Sequence, residues 1–424
     1  MPLCSNTQRG EIMNASSETR SERRGLAALV FDARARSLFF QLLVAIAIIA
    51  MIVMAVLNAR DNLAAQNKAF SFDFFYDPSN IQILTTFGTW LLDYKPGSSS
   101  VFDVFLLSIA NTLVVAIAGI IFATVWGFLL GIFRLSSNFV LRSFATIYVE
   151  LLRNIPLLLQ IFFWIAVLRL VAPSGRGAHA TLIPGLLQFD AKGIYGPFPI
   201  VESGFWMTIA AFVIACIASV IYAKRARKKQ DATGQPSPVF LVSTAMIIGL
   251  PVLVFVITGR PITLEWPNYV TEGPVFKRGF ELGIGSYIAP EFMAMFLALF
   301  TYTAAFIAEI VRAGIQAVPK GQSEAAAALG LTEGQAMRKV ILPQAFRVIV
   351  PPLTSQYLNL TKNSSLAAAI GYPELVAVFA GTILNQVGRA IEIIAVVILV
   401  YLTISLLTSA FMNWFNNRVA LVER

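Results

Sequence analysis

The sequence predicts an all-α polytopic membrane protein with about eight transmembrane helices, and three observations support this. First, 57% of the 424 residues are hydrophobic and 13% are charged, whereas soluble proteins have about 25% charged residues. Second, apolar stretches near the roughly 20 residues needed to cross a bilayer recur along the chain. Third, Lys and Arg are distributed unevenly between the segments that join these stretches. Each stretch must be helical, because unpaired backbone groups are costly in lipid.

Seven stretches are clearly apolar, and a more polar eighth completes the set. The seven are 38–57, 104–133, 147–171, 205–223, 239–258, 288–311 and 391–412. The eighth, 346–370, contains hydroxyl and amide side chains and one lysine, Lys362. With eight spans and a cytoplasmic N-terminus, cytoplasmic segments carry 20 Lys and Arg residues and outer segments carry 9. This bias follows the positive-inside rule and predicts that both termini are cytoplasmic.

The segment before the polar span has helix signals in an unusual order. Ser323 is predicted to cap a short helix, and Gly330 is predicted to end it in a left-handed conformation. Thr332 and Gln335 have the spacing of a capping box that begins a second helix, which Pro343 is predicted to end. The result is two short helices joined by a glycine elbow, a shape suited to docking another protein. The alternative is an amphipathic loop that lies passively on lipid headgroups.

This segment resembles the EAA loop of the permease subunits of ABC importers. The matching residues are Glu324, Ala325, Ala326, Gly330, Val340, Leu342 and Pro343, with Val340 where the family usually has Ile. Other stretches are similar to the polar-amino-acid branch of that family: Asn111 to Leu113, Arg134 to Ser136, Tyr148 to Gln160, Tyr302 to Gly314 and Thr361 to Leu366. The likeness is to the Q-type permease subunits of general L-amino acid importers.

The resemblance implies a five-helix core of the type I ABC importer permease, made from residues 104–171 and 288–415. The second part includes the cytoplasmic coupling loop, at about 315–345. The remaining segments are a cytoplasmic tail, an extra span with its periplasmic loop, an insert with two extra spans, and a short C-terminal tail: 1–36, 37–103, 172–287 and 416–424. The outer loops are expected to form small irregular elements.

The resemblance also implies function and partners. The chain would be a permease subunit that moves L-amino acids, over a broad polar range, across the bacterial inner membrane. Partner ATPase subunits would dock at Glu324, Ala325, Ala326, Gly330, Leu342 and Pro343 and supply the ATP hydrolysis. A second permease subunit of the M type and a periplasmic solute-binding protein would complete the importer.

The residues themselves argue against catalysis. The sequence has no phosphate-binding loop of the Gly-x-x-x-x-Gly-Lys-Ser/Thr type, one His and two Cys, so acid–base, nucleophilic and metal-binding clusters have few donors. We therefore expect no catalytic residues, no metal and no cofactor. The net charge of +9 sits largely beside the spans, where topology and anionic lipid account for it. We expect contact with the bilayer and none with nucleic acid.

Two pairs of opposite charges lie within or beside the predicted spans. Glu150 and Arg153, and likewise Glu309 and Arg312, are three residues apart and share a helix face. Each pair is predicted to neutralise itself, because a lone charge at bilayer depth is expensive. The pairs are either structural or part of the gate.

Polar residues in the eighth span predict a translocation path. They are Gln356, Asn359, Lys362, Asn363, Ser364 and Ser365, with Asn154 and Gln160 beside Pro156, which is predicted to break the third span. Hydroxyl and amide groups can replace the water shell of an amino acid, and Lys362 can balance its carboxylate. The alternative is that these groups form interhelical hydrogen bonds.

Two other classes of function fit the sequence less well. A secondary transporter or channel driven by an ion gradient commonly has acidic residues at mid-membrane, and the predicted spans contain almost none. A membrane enzyme requires a catalytic cluster that the sequence does not contain.

Overall fold

The computed structural model describes residues 33–65, 70–83, 94–173, 179–184, 186–235, 237–272, 279–281 and 284–419. The chain divides into two units, Met1–Phe72 and Asp73–Arg424. The first unit contains helix α1 (Ala33–Ala65), whose apolar side chains are exposed, as expected of a helix that lies in lipid.

The second unit is mainly helical. Its helices are α2 (Val101–Arg134), α3 (Phe139–Asn154), α4 (Leu157–Val171), α5 (Phe205–Thr233), α6 (Val239–Ile257), α7 (Pro290–Gln316), α8 (Lys320–Ala328), α9 (Glu333–Ala336), α10 (Leu342–Asn363), α11 (Leu384–Val387) and α12 (Ala390–Val419). Among the described residues, six helices are long and apolar enough to cross a bilayer, and α3 with α4 makes a seventh if the bent pair is one span. The polar eighth segment is also helical, as α10. The predicted all-α polytopic membrane fold is confirmed.

Helices α2 and α7 run parallel and approach each other closely. A Cβ atom added at Gly127 would lie 2.6 Å from Cβ of Ile307, and one at Gly131 would lie 2.7 Å from Cβ of Val311. Small residues four apart remove the bulk that would otherwise hold two helices apart. The buried core continues from this pair onto α4 and α10, with Ile161 and Leu360 fully buried.

Pro156 breaks the third predicted span, as expected. Helix α3 ends at Asn154, α4 begins at Leu157, and the two are bent by 108°. The stretch 147–171 is therefore not one straight helix. The Nε2 atom of Gln160 donates to the carbonyl oxygens of Leu152 at 2.9 Å and Ile155 at 3.0 Å. It thus satisfies carbonyl groups that the end of α3 leaves without helical partners.

The loops 172–204 and 259–287, which were predicted to lie on the outer face, form regular strands, so the expectation of irregular elements is wrong there. The strands are β1 (Ala180–Ile183), β2 (Leu187–Asp190), β3 (Gly193–Gly196), β4 (Phe198–Val201), β5 (Ile262–Glu265), β6 (Tyr269–Val270), β7 (Gly279–Phe280) and β8 (Ser286–Ile288). They make an antiparallel sheet in the order β1-β2-β3-β8 and two two-stranded pairs, β4-β5 and β6-β7. The side chain of Asp190 accepts from the backbone N–H groups of Lys192 and Gly193, which makes the tight β2–β3 turn. Tyr195 stacks on Phe280 with ring centroids 4.3 Å apart.

Helices α5 and α6 form a hairpin. The side chains that α5 buries are small, namely Ala211, Ala215, Ser219 and Ala226. Helix α6 buries none of its side chains within the described part of the chain, as expected for a helix that faces lipid or a partner on most sides. Gly234, with φ +70, ends α5 in the left-handed conformation.

Candidate docking loop and polar helix

Helix α8 begins earlier than predicted. It starts after Pro319 and covers Lys320–Ala328, so Ser323 lies inside it and its Oγ atom donates to the carbonyl oxygen of Lys320 at 2.6 Å. The prediction that Ser323 caps this helix is wrong. Pro319 occupies the N-cap position with an extended backbone (φ −57, ψ 138), so the helix begins one turn before Ser323.

The predicted glycine elbow is confirmed. Gly330 has φ +75, its N–H group donates to Ala327 O, and the N–H group of Leu331 donates to Ala326 O. These two bonds are the Schellman arrangement that ends a helix at a left-handed residue. No atom lies within 4 Å of the position that a Cβ atom at Gly330 would take, so backbone conformation is the reason for glycine here.

The second helix begins as predicted but does not end at Pro343. Thr332 Oγ1 accepts from Gln335 N, and Gln335 Oε1 accepts from Thr332 N, which is a complete capping box. Helix α9 then continues through a π-helical segment, Met337–Ile341, into α10. Pro343 lies in the first turn of α10, where the wider π winding before it accommodates a ring that would clash with an α-helical carbonyl.

The predicted docking residues differ in exposure. Glu324, Ala325, Gly330 and Pro343 are exposed and Leu342 is half-buried, whereas Ala326 is 2% exposed and packs inward. The side chain of Leu329, which the sequence reasoning missed, is 81% exposed at the tip of α8. An open cavity of about 430 Å³ lies between the end of α7, the start of α8 and the π segment, lined by Gln316, Pro319, Lys320, Ser323 and Ile341 among others.

The predicted ion pairs merge into one cluster at the ends of α2, α3 and α7. Glu309 pairs with Arg312, as predicted, and also with Arg134. Nη1 of Arg153 lies 3.9 Å from Oε2 of Glu309, and Nη2 of Arg134 lies 3.6 Å from Oε1 of Glu150.

The predicted pairing of Glu150 with Arg153 is therefore wrong, because each has a nearer partner on another helix. The guanidinium group of Arg153 also lies over the ring of Phe306, 5.2 Å from its centroid. Spacing along one helix finds only partners on that helix, so it could not identify Arg134, the last residue of α2.

Helix α10 presents polar side chains on an exposed face. Asn359 and Lys362 are exposed on it together with Ser355, at spacings of three and four residues, and Gln356 and Asn363 are half-buried. No described acidic side chain forms an ion pair with Lys362. Because uncompensated polar groups are costly in hydrocarbon, this face requires water or a protein partner.

Four predicted path residues bond mainly to backbone. Ser364 is buried and its Oγ atom donates to Thr361 O, while Oγ of Ser365 donates to Lys362 O. Nδ2 of Asn154 donates to Glu150 O at 2.7 Å. These bonds, with those of Gln160 at the bend, give the four side chains a local structural role.

A buried carboxyl group, Glu374, lies between two spans in sequence, in the connection between α10 and α12. It accepts from the backbone N–H groups of Val376 at 2.8 Å and Ala377 at 2.7 Å, and from the hydroxyl of Tyr401 at 3.1 Å. Burial raises the pKa of Glu374 to about 7, against the lowering effect of these hydrogen bonds on the pKa. Sequence reasoning missed Glu374, which is an isolated acid without a motif of its own.

Helix α2 holds the same connection in place. Nδ2 of Asn111 donates to Pro373 O at 3.0 Å, and Oγ1 of Thr112 accepts from the N–H group of Leu375 at 3.1 Å. The hydroxyl of Tyr372 donates to Asn111 O. The Asn-Thr pair, noted in the sequence for its likeness to permeases, thus fixes the end of the segment that begins with α10.

Known proteins are similar to this chain over most of its length. The family described as "binding-protein-dependent transport system inner membrane component" matches residues 221–421. The general L-amino acid transport system permease protein AapQ of Rhizobium johnstonii is 47% identical, over 93% of this chain and 95% of that protein. The putative amino-acid ABC transporter permease protein YhdX of Escherichia coli is 45% identical, over 92% and 95%.

A third relative is the glutamate/glutamine/aspartate/asparagine transport system permease protein BztB of Rhodobacter capsulatus. It is 37% identical, over 94% of this chain and 97% of that protein. A solved structure described as "Crystal structure of an amino acid ABC transporter with histidines" is also similar. Its sequence is 20% identical, and the match covers 75% of this chain and 94% of that chain with a TM-score of 0.42.

Permease subunits of ABC transporters are non-catalytic, and the ATP is hydrolysed on a partner ATPase. The prediction of a transport subunit without enzyme activity, in a multi-pass inner-membrane protein, is confirmed by these relatives. The chain belongs to the family of inner-membrane permease components of binding-protein-dependent ABC transport systems.

Proposed function

We propose that this chain is the permease subunit of an ATP-driven importer that moves L-amino acids, over a broad polar range, across the bacterial inner membrane. The observation that carries the proposal is the elbow at Gly330, where α8 meets a capped second helix. The names of AapQ, YhdX and BztB support amino acids as the substrate class. Both termini and the elbow are on the cytoplasmic side in this proposal.

The ATPase docks on α8 and its tip. Glu324, Ala325 and Gly330 are exposed there, and Leu329 offers an apolar side chain to a groove. Helix α9, the π segment and α10 form one unbroken helical run from the elbow. When ATP binding closes the ATPase subunits, movement of the elbow is transmitted along this run to α10.

The ion cluster around Glu309 holds in place the helix end that precedes α8 and the elbow. It ties together the ends of α2, α3 and α7, and α8 follows α7 after a short connection. The cavity between the end of α7, the start of α8 and the π segment leaves space for α8 to shift relative to the ion cluster. Docking therefore moves α8 and α10 while the clustered helix ends stay together.

The translocation path runs along the polar face of α10. Gln356, Asn359, Lys362 and Asn363 line it, and the ammonium group of Lys362 balances the carboxylate of the amino acid. A second permease subunit, of the M type, covers the other side of this path, because exposing these polar groups to lipid is energetically costly. A periplasmic solute-binding protein delivers the substrate to the outer mouth.

The docking proposal is tested by co-purification. The chain is co-expressed with its second permease subunit and an ATPase subunit, and the ATPase retained on the tagged permease is measured. Gly330→Val places a β-branched side chain in a left-handed conformation that it adopts poorly, so we expect most of the ATPase to be lost. Gly334→Ala is the matched control, because Gly334 is four residues away, has no positive φ, and has nothing within 4 Å of its Cβ position.

Retention of the ATPase by both variants would show that the elbow does not dock it. Uptake is then measured in membrane vesicles that contain the complex. We expect amino-acid uptake only when ATP and the binding protein are supplied. Uptake by this chain alone in vesicles without ATP would instead indicate a secondary transporter or channel.

A further inference from the structure

Helix α5 continues beyond its apolar part as a strongly basic extension. The apolar part ends at Ala223, and the same helix runs on to Thr233. Five exposed cations follow the apolar part within two turns, namely Lys224, Arg225, Arg227, Lys228 and Lys229. None of the five side chains forms an ion pair with another described residue.

The five cations surround more than half of the helix. At 3.6 residues per turn they cover about 200° of its circumference. The remaining side is that of Ala226, which is 6% exposed. A folded partner contacts one side of a helix, whereas a layer of headgroups surrounds all of its free sides. The distribution therefore favours lipid over a protein partner.

The depth of the cations agrees with this. Residues 224–229 extend about 9 Å along the axis at 1.5 Å per residue, which is long enough to cross the headgroup layer of about 5–7 Å on each side of a bilayer. Phe240 and Leu241, at the start of α6, are 85% and 69% exposed and mark the apolar boundary on the other arm of the hairpin. Lys and Arg also extend their charged ends along the surface.

We propose that residues 224–229 bind the anionic phospholipid headgroups of the leaflet in which this end of the α5–α6 hairpin lies. The proposal goes beyond the transport function and depends neither on the substrate nor on the ATPase. Each Lys or Arg near an anionic surface strengthens binding about fivefold. Removal of two charges should therefore weaken the affinity about 30-fold.

The full chain is purified in detergent, and native mass spectrometry measures its retention of phosphatidylglycerol against phosphatidylcholine. We expect the parent to prefer phosphatidylglycerol, with an affinity that falls as salt screens the charges. Lys228→Gln with Lys229→Gln should lower that affinity about 30-fold. Lys224, Arg225 and Arg227 keep their positive charges, which preserve the orientation of the hairpin in the membrane. Lys228→Arg with Lys229→Arg, which keeps both charges, should retain the affinity.

The matched control removes the same charge from the loops at the other end of the α5–α6 hairpin, as Lys192→Gln with Arg260→Gln, both exposed, and should weaken binding far less. Equal weakening by the two double variants would show that net charge, not the extension, attracts the lipid. Equal retention of the two lipids by the parent would also overturn the proposal. If the Lys228 and Lys229 variant lost a co-expressed ATPase while it kept its phosphatidylglycerol, the ligand of the extension would be a protein.

Discussion

The carboxylate of Glu309 on α7 and the guanidinium of Arg134, the last residue of α2, form an ion pair between two parallel helices. Arg312 and Arg153 approach the same carboxylate from α7 and α3. Three arginines thus approach the carboxylate of Glu309 at the end of the bundle from which α8 leaves, whereas Glu150 contacts only Arg134. This arrangement makes Glu309 the member whose loss leaves the most charge unbalanced.

Glu309→Gln should therefore destabilise the protein more than Glu150→Gln does. The side chain of Glu309 is 26% exposed and contacts three arginines, so we expect a loss of about 1–3 kcal/mol in the free energy of unfolding. Glu150 is 58% exposed and contacts one arginine, so its loss should cost less than about 1 kcal/mol. Thermal unfolding in detergent measures both. Equal effects would contradict a central role for Glu309.

Close packing of α2 on α7 gives a second prediction. Gly127→Ala would place its Cβ atom 2.6 Å from Cβ of Ile307 and 3.0 Å from Ala304 O. Neither neighbour can rotate away, so the helices must separate, and overpacking of this kind costs about 1–3 kcal/mol. The control is Gly249→Ala in α6, where nothing lies within 4 Å and alanine favours the helix. The melting temperature should fall in the first variant and stay or rise in the second.

The buried Glu374 predicts a pH dependence of stability. Because folding raises its pKa from 4.5 to about 7, the folded state binds more protons than the unfolded state between these values. The stabilisation is complete below about pH 4.5 and is lost as the pH rises to about 7. The melting temperature of the parent, relative to Glu374→Gln, should fall over this window and then stay level. A constant difference across the window would contradict this.

The parts of the fold that the sequence predicted correctly depend on short-range signals. Gly330 ends a helix, Thr332 with Gln335 begins one, and Pro156 breaks one, because each signal acts within a few residues of itself. The hydropathy pattern likewise located most of the long apolar helices, since every apolar stretch in lipid must pair its backbone groups within a helix.

The parts that it predicted wrongly or missed depend on contacts between distant segments. Arg134 meets Glu309 only because α2 and α7 run parallel, and β8 pairs with β3 across the α5–α6 hairpin. Helix ends also shift when a competing start signal lies nearby, as Pro319 does for α8. The polar face of α10 was located correctly by composition, but its division into exposed and backbone-bonded groups required the fold.

The position of Lys362 gives the sharpest test of the path. It is exposed on the polar face of α10, next to Asn359 in space and without an acidic partner among the described residues. If it balances the carboxylate of the substrate, Lys362→Ala removes a charge-assisted hydrogen bond worth about 1.5–3 kcal/mol, and uptake should fall about 10- to 100-fold. Lys362→Arg keeps the positive charge and should retain most of the uptake.

The same measurement separates transport from assembly. Co-purification of the ATPase and the second permease subunit with each Lys362 variant reports whether the complex forms. Uptake is then compared at equal amounts of assembled complex. A structural role for Lys362 in helix packing would lower assembly and uptake together, and arginine would restore both only if it fitted the same space. Loss of uptake in a fully assembled Lys362→Ala complex is the result that a path role requires. Normal uptake in that complex would show that the substrate does not depend on this charge.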